Sequence, residues 1–203
     1  MNKNSTTIYL VRHGEVDWNV KGLVLGQKDF PLNQKGRRQA KKLAKTIANT
    51  RLDAIFSSDL MRAKETAEVI AHSRNLTVKT SKALREQTFG RYEGWDKEKF
   101  INLFDKWNEM SDEERHKYTL SEDVESNENA VNRLINFIRR ISNNFIGKTI
   151  LIVTHGAIMR YLLIQLGYAS YDYLSYFDNT GYIKLEIQGS RILLKEVKGF
   201  NKE

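Results

Sequence analysis

Two short apolar runs in this chain end on the same pair of residues. Ile8-Tyr9-Leu10-Val11 leads into Arg12-His13-Gly14, and Ile150-Leu151-Ile152-Val153 leads into Thr154-His155-Gly156. Such runs suit strands buried on both faces, and open parallel sheets bind ligands at the carboxyl ends of their strands. One buried histidine is ordinarily a hydrogen-bonded core residue. Two His-Gly pairs at two strand ends instead put imidazoles where a ligand would sit. The glycines should let backbone approach that ligand closely, and the helix-opening N–H groups just beyond can receive an anion. A third run, Ala54-Ile55-Phe56, leads into Ser57-Ser58-Asp59-Leu60-Met61-Arg62. Here Asp59 is expected to cap the next helix, with Arg62 in its first turn. A cation in that turn opposes the helix dipole, but beside a phosphate its planar fork can hold two oxygens at once. Arg12 follows the same logic. The chain has no cysteine, which removes thiolate nucleophiles and thiolate metal sites. An imidazole is then the best remaining nucleophile for a phosphoryl group, with guanidinium groups to hold the transferring oxygens.

The elements that must position these residues can be read from periodicity. Ala40, Leu43, Ala44 and Ile47 fall on one face of a helix following Gly36. Ala63, Ala67, Ile70 and Ala71 repeat the pattern, as do Val131, Leu134, Ile135, Ile138 and Ile141 after Asn127 or Asn129. Residues 157–166 are apolar nearly all round and should form a buried helix. Ile183, Leu185 and Ile187 alternate with polar residues, and Gly189-Ser190 turns the chain into a second strand over 192–197. Strands alternating with helices predict an α/β fold, a three-layer α/β/α sandwich with a mostly parallel central sheet. The least regular stretch, about 96–128, carries Trp95, Phe100, Phe104 and Trp107 at helical spacing beside Ser111-Asp112-Glu113-Glu114-Arg115. It reads as a helical insertion with the makings of a lid, its aromatics serving as packing rather than base stacking.

At 203 residues, with 40% hydrophobic and 29% charged side chains, the chain fits one domain over 1–203 with that insertion, and neither a fibre nor a disordered tail. No apolar run spans a bilayer and the polar start lacks a signal-peptide core, so a cytoplasmic protein without membrane attachment is expected. The formal charge of +8 favours anionic partners without separating nucleic acid from a phosphorylated metabolite. The basic run Lys35, Arg37, Arg38, Lys41, Lys42 and Lys45 alternates with an apolar helix face, the pattern of a solvated surface, and no nucleic-acid motif accompanies it. His72 and His116 have no partners at metal spacing and are expected to be solvated.

Arg12-His13-Gly14-Glu15, Trp18-Asn19 and Asp29-Phe30-Pro31-Leu32-Asn33 with Gly36 form the first of four ordered blocks. The others are Ser57-Ser58-Asp59-Leu60 with Arg62-Ala63 and Thr66-Ala67, then Leu84-Arg85-Glu86 with Phe89-Gly90 and Glu93-Gly94, and finally Thr154-His155-Gly156. Together they resemble the histidine phosphatase superfamily, also called the phosphoglycerate mutase-like family, over nearly the whole chain. The resemblance implies that His13 is phosphorylated during turnover. Arg12, Arg62 and His155 would bind the phosphoryl oxygens, with Asn19 adding a hydrogen bond and Gly156 completing the substrate site. Glu86 would protonate the leaving alkoxide and then activate water, and the anionic substrate would oppose its ionisation. No metal or cofactor is implied, since cationic side chains do the work that magnesium does elsewhere. The implied partner is a small phosphorylated metabolite, and the resemblance is compatible with a homodimer.

Two blocks depart from the family pattern. Leu25-Gly26 stands where Gln-Gly is common, removing one polar contact near the pocket mouth, and Asp123-Val124-Glu125-Ser126 stands where Gly-Glu-Ser is usual. Three function classes follow: a metal-independent phosphatase acting on small phosphomonoesters, a 2,3-bisphosphoglycerate-dependent mutase, and a non-catalytic phosphate-binding scaffold. The retention of His13, Arg12, Arg62, Glu86 and His155 together speaks against the scaffold. The sequence around the acid, Leu84 to Gly90, favours the phosphatase over the mutase.

Overall fold

The computed structural model describes residues 4–171 and 175–202. Its sheet is built from β1 (Thr6–Arg12), β2 (Ala54–Ser58), β3 (Val78–Ser81), β4 (Thr149–Thr154), β5 (Ser175–Gln188) and β6 (Arg191–Lys202), in the order β3-β2-β4-β1-β5-β6. The first four run parallel, and β5 and β6 are antiparallel additions at the β1 edge. Helices are α1 (Asp17–Val20), α2 (Gln34–Thr46), α3 (Met61–His72), α4 (Lys97–Ile101), α5 (Asp112–Lys117), α6 (Asn127–Asn143) and α7 (Gly156–Gln165). Ile8, Leu10, Ile150 and Ile152 join α6 and α7 in one core, while Val11, Leu151 and Val153 join α2 and α3 in another. Alternate side chains of β1 and β4 thus face opposite helical layers, the period-two consequence of a strand buried on both sides. The expected three-layer architecture is the one found. The short edge strand β3 carried no periodic signal: Val78 and Ser81 are half-buried and Lys79 and Thr80 exposed, without alternation.

Helix starts differ from the sequence reading, with a common physical reason. Asn33, not a residue after Gly36, caps α2 by accepting from the Gly36 N–H, and Ser126 caps α6 by accepting from the Asn129 N–H. Asp59 does not cap α3. Its carboxylate forms a bidentate pair with Arg85, both contacts at 2.7 Å, and the Met61 N–H is satisfied instead by Asp29 from a distant loop. A guanidinium competes better for a carboxylate than one backbone N–H does.

Gly14, after β1, and Gly36, in α2, act together in packing rather than toward a ligand. A Cβ on Gly14 would lie 2.6 Å from the Gly36 carbonyl oxygen, and one on Gly36 would lie 2.2 Å from the Glu15 oxygen. They let α2 press against the loop that follows β1, and so fix that loop's path. Gly→Ala inside an exposed helix stabilises by up to about 1 kcal/mol. At Gly36 the sign should reverse, and Gly36→Ala is expected to cost about 3 kcal/mol in urea unfolding. An unchanged midpoint would show that the loop yields freely.

Candidate active site

His13 follows β1 and His155 follows β4, and the strand register sets Arg12 opposite Thr154. The His13 N–H donates to the Thr154 carbonyl at 3.0 Å. The two imidazoles therefore meet edge to face, with ring centroids 5.1 Å apart. His13 is 2% exposed, and Arg62 and His155 are fully buried. His13 and Arg62 line a cavity of about 320 Å³ together with Arg12, Asn19, Glu86 and Gly156, while His155 touches it only through the His13 ring. That volume is at the lower end of the range for small-ligand pockets.

His13 Nδ1 lies 2.7 Å from the Gly14 carbonyl oxygen, which can only accept, so the ring proton belongs on Nδ1. Its Nε2 carries the lone pair and receives the Arg62 Nε–H at 3.2 Å. Burial first, then Arg62 and Arg12, holds the His13 pKa well below the usual histidine range; burial and Arg62 do the same to His155. Both rings are neutral at pH 7. Arg62 spends part of its fork on the carbonyls of Gly26 and Lys28, each at 2.7 Å, rather than leaving it wholly open. Burial lowers its pKa to about 10, opposed by Glu86 and Asp29, so it remains charged.

Several buried donors in the site have no partner. Arg12 anchors Nη1 on the Phe177 carbonyl, but its Nε is buried and unpaired. Asn19 caps α1 with Oδ1 on the Val16 N–H, and its Nδ2 is buried and unpaired. Both nitrogens of His155 are in the same condition. Unpaired buried polar atoms are costly unless a ligand satisfies them. Arg12 and Asn19 line the same cavity as His13, and His155 packs against the His13 ring.

The acceptor at the α7 N-terminus comes from the protein itself. Glu86 accepts from the Ala157 and Ile158 N–H groups at 3.0 Å each and from the Gln87 N–H at 3.1 Å. Gly156, whose Cβ would lie 3.2 Å from Arg12 Nε, keeps this turn close to the cationic wall. Behind Glu86, Arg133 of α6 pairs with Glu125 and donates to the carbonyls of Ala83, Arg85 and Glu86. Glu125, in a segment that departs from the usual pattern, thus helps to hold the Glu86 backbone.

Sequence reasoning missed several site residues. Lys97 of α4 reaches the cavity wall, where desolvation and then Arg12 lower the pKa of its ammonium. Arg160 lines the opposite wall, with its Nε on Ser175 Oγ at 2.9 Å. In β5 the register with β6 shifts between Phe177 and Tyr182. Inside that bulge Asn179 Nδ2 and the Thr180 N–H both reach the His13 carbonyl, at 3.1 and 3.4 Å. Thr180 adopts φ 64°, a costly conformation for a β-branched residue. The triplet Asn179-Thr180-Gly181 within a strand pattern was the one available signal. His116, expected to be solvated, is half-buried and bonds Tyr171 at 2.8 Å, while His72 is exposed as expected.

Two neutral buried histidines make folding pH-dependent. Below about pH 6.5 the unfolded chain protonates both while the native protein does not, so stability rises with pH through this region. Their contribution is complete above pH 6.5 and is lost as pH falls, at about 1.4 kcal/mol per pH unit for each ring. Denaturant unfolding in phosphate-free buffer is expected to give about 2–3 kcal/mol less stability at pH 5.5 than at pH 7.5. A flat profile would mean that native imidazole is already charged.

Fold and site together define an α/β protein whose sheet carries two buried imidazoles beside a cavity lined by Arg12, Arg62 and Lys97. The family model for the histidine phosphatase superfamily (branch 1) matches residues 8–198, and the chain belongs to that superfamily as a phosphatase-class hydrolase. It is 31% identical to an uncharacterized phosphatase, PhoE, of Bacillus subtilis (strain 168), over 79% of this chain and 77% of that one. The crystal structure of phosphoglycerate mutase from Bacillus anthracis str. Sterne is similar with a TM-score of 0.81 at 26% identity, covering 96% of this chain and 93% of that one. Phosphoserine phosphatase from Entamoeba histolytica, in complex with 3-phosphoglyceric acid, gives a TM-score of 0.80 at 25% identity, covering 95% and 96%. Among the described residues no helix is long and apolar enough to cross a membrane.

Proposed function

We propose that this chain hydrolyses small phosphomonoesters through a phosphohistidine on His13, without need of a metal ion. The observation that carries this reading is the His13 tautomer: Nδ1–H is tied to the Gly14 carbonyl, and the Nε2 lone pair is turned toward Arg62. Nε2 attacks phosphorus as the ester P–O bond breaks, and the leaving alkoxide takes its proton from Glu86. Water then attacks the phosphohistidine, giving its proton to the Glu86 carboxylate, and the P–N bond electrons return to Nε2. Arg12, Arg62, Asn19 and His155 supply donors to the equatorial oxygens in both steps, a preorganised field of the kind that dominates phosphoryl transfer. The Bacillus subtilis and Entamoeba relatives, both named phosphatases, support hydrolysis, and the 3-phosphoglyceric acid bound to the latter supports a small phosphorylated metabolite as substrate.

The likeness to a mutase structure favours one other outcome, retransfer of the phosphoryl group to phosphoglycerate. Both readings are tested by incubating the protein with 3-phosphoglycerate and with p-nitrophenyl phosphate, with EDTA throughout. Release of inorganic phosphate from either ester supports the phosphatase. Isomerisation to 2-phosphoglycerate far faster than hydrolysis of either isomer would replace it with the mutase.

A further inference from the structure

The His13 imidazole is aimed by backbone that a glycine, left to itself, would leave loose. Packing requires Gly14 there, since a Cβ would lie 2.6 Å from the Gly36 carbonyl oxygen. Glycine also has the widest backbone freedom of any residue. That freedom has to be removed by other groups if the neighbouring ring is to keep one orientation.

Two consecutive peptide planes are pinned, each at both of its polar ends. The plane joining His13 to Gly14 has its carbonyl held by Asn179 Nδ2 and the Thr180 N–H, at 3.1 and 3.4 Å. Its N–H donates to Thr66 Oγ1 at 3.0 Å, and that hydroxyl donates in turn to the Arg62 carbonyl at 2.7 Å. The hydroxyl proton is thereby committed, leaving a lone pair for Gly14. The plane joining Gly14 to Glu15 has its N–H on Gln39 Oε1 at 2.8 Å, and its carbonyl is the acceptor for His13 Nδ1 at 2.7 Å. Rotation of either plane would carry that carbonyl away from Nδ1 and free the ring to exchange tautomers.

We propose that Gln39, Thr66 and Asn179 are positioning residues for the nucleophile, acting through the two peptide planes around Gly14 to hold the His13 ring in one tautomer with Nε2 facing Arg62. The inference rests on the reading of His13 as the nucleophile and adds the residues that aim it. They come from three elements, α2, α3 and the bulge of β5, and none of them lines the catalytic cavity. Local stability does not account for two of them. A threonine hydroxyl bonded back to the carbonyl four residues earlier slightly weakens its own helix. Asn179 is delivered by a bulge in which Thr180 adopts φ 64°, and strain of that kind persists where the surroundings impose it.

The test uses Asn179→Ala, Thr66→Val and the conservative Thr66→Ser, assayed on p-nitrophenyl phosphate with inorganic phosphate as competitive inhibitor. The first two are expected to lower kcat by about 10- to 100-fold, the scale on which a small misplacement of a reacting group acts. Phosphate inhibition should stay within about threefold of wild type, because the cationic side chains that hold the anion are untouched. Thr66→Ser keeps the hydroxyl and should return kcat to within about threefold. Unchanged kcat in Asn179→Ala and Thr66→Val, phosphate inhibition that weakens in step with kcat, or a serine variant as impaired as the valine one would overturn the proposal. Should Thr66→Val not fold, Asn179→Ala in the half-buried bulge decides by the same criteria. A second readout needs no turnover: nitrogen-15 correlation spectra of the imidazoles in mildly alkaline buffer, the His13 signals being identified by their absence from His13→Ala. Wild type is expected to show the Nδ1–H tautomer alone, and Asn179→Ala a mixture. If wild type hydrolyses no ester, the phosphatase reading fails by itself and these spectra decide the positioning role. A wild-type ring already divided between tautomers, or a variant ring identical to wild type, would then overturn it.

Discussion

His13→Ala is expected to lower kcat for p-nitrophenyl phosphate by roughly 10⁴-fold or more, the scale at which loss of a covalent nucleophile leaves only the binding field. The protein is expected to stay folded. The reason is that the local backbone is held from three sides without the imidazole: the His13 N–H bonds Thr154, and its carbonyl accepts from Asn179 and Thr180. The lost side chain contributes one hydrogen bond to Gly14 and receives one from Arg62, which keeps its anchors on Gly26 and Lys28. The variant should also lose about half of the acid-side slope in stability, because one of the two neutral imidazoles is gone. Phosphate release, far-ultraviolet circular dichroism and urea unfolding at two pH values check the three parts. Loss of folding would mean that His13 is structural as well as chemical, while full retention of turnover would remove it from the mechanism.

The positions of His13 and His155 were legible because buried parallel strands announce themselves as continuous apolar runs, and the chain end of such a strand is a fixed place. The local chemistry around them was not. Burial of His13 depends on α2 closing over the loop through Gly14 and Gly36, residues 22 positions apart whose contact no periodicity reports. Asp59 shows the same limit in energetic form. Its sequence context satisfies the rule for a helix cap, and only the arrival of Arg85 from another strand end redirects it. Glu86 was assigned its role from family resemblance, since a glutamate between polar neighbours has no pattern of its own. Its geometry is set by the α7 N-terminus 71 residues further on. Lys97, Arg160 and the strained Thr180 were missed for the matching reason: each belongs to an element whose own pattern reports its packing, and the cavity exists only once those elements converge.

Glu86→Gln provides the sharpest separation of roles within the site. The carboxylate holds three backbone N–H groups, two on Oε1 and one on Oε2. An amide can keep the Oε1 pair, but its NH₂ then faces the Ala157 N–H, donor against donor, so a stability loss of about 1–2 kcal/mol is expected. The kinetic effect should depend on the ester. An alkyl phosphate expels a strongly basic alkoxide and needs a proton in the transition state, so its kcat/KM should fall by about 10²- to 10⁴-fold. A p-nitrophenolate leaves with little protonation, and its ester should lose less than roughly tenfold while the first step limits turnover. Measuring both esters on the same preparation cancels any loss from misfolding or a weakened phosphate site, because those defects act on the two alike. Equal damage to both substrates would therefore reduce Glu86 to an anchor for the α7 N-terminus. A wide gap between them would place its proton on the departing oxygen.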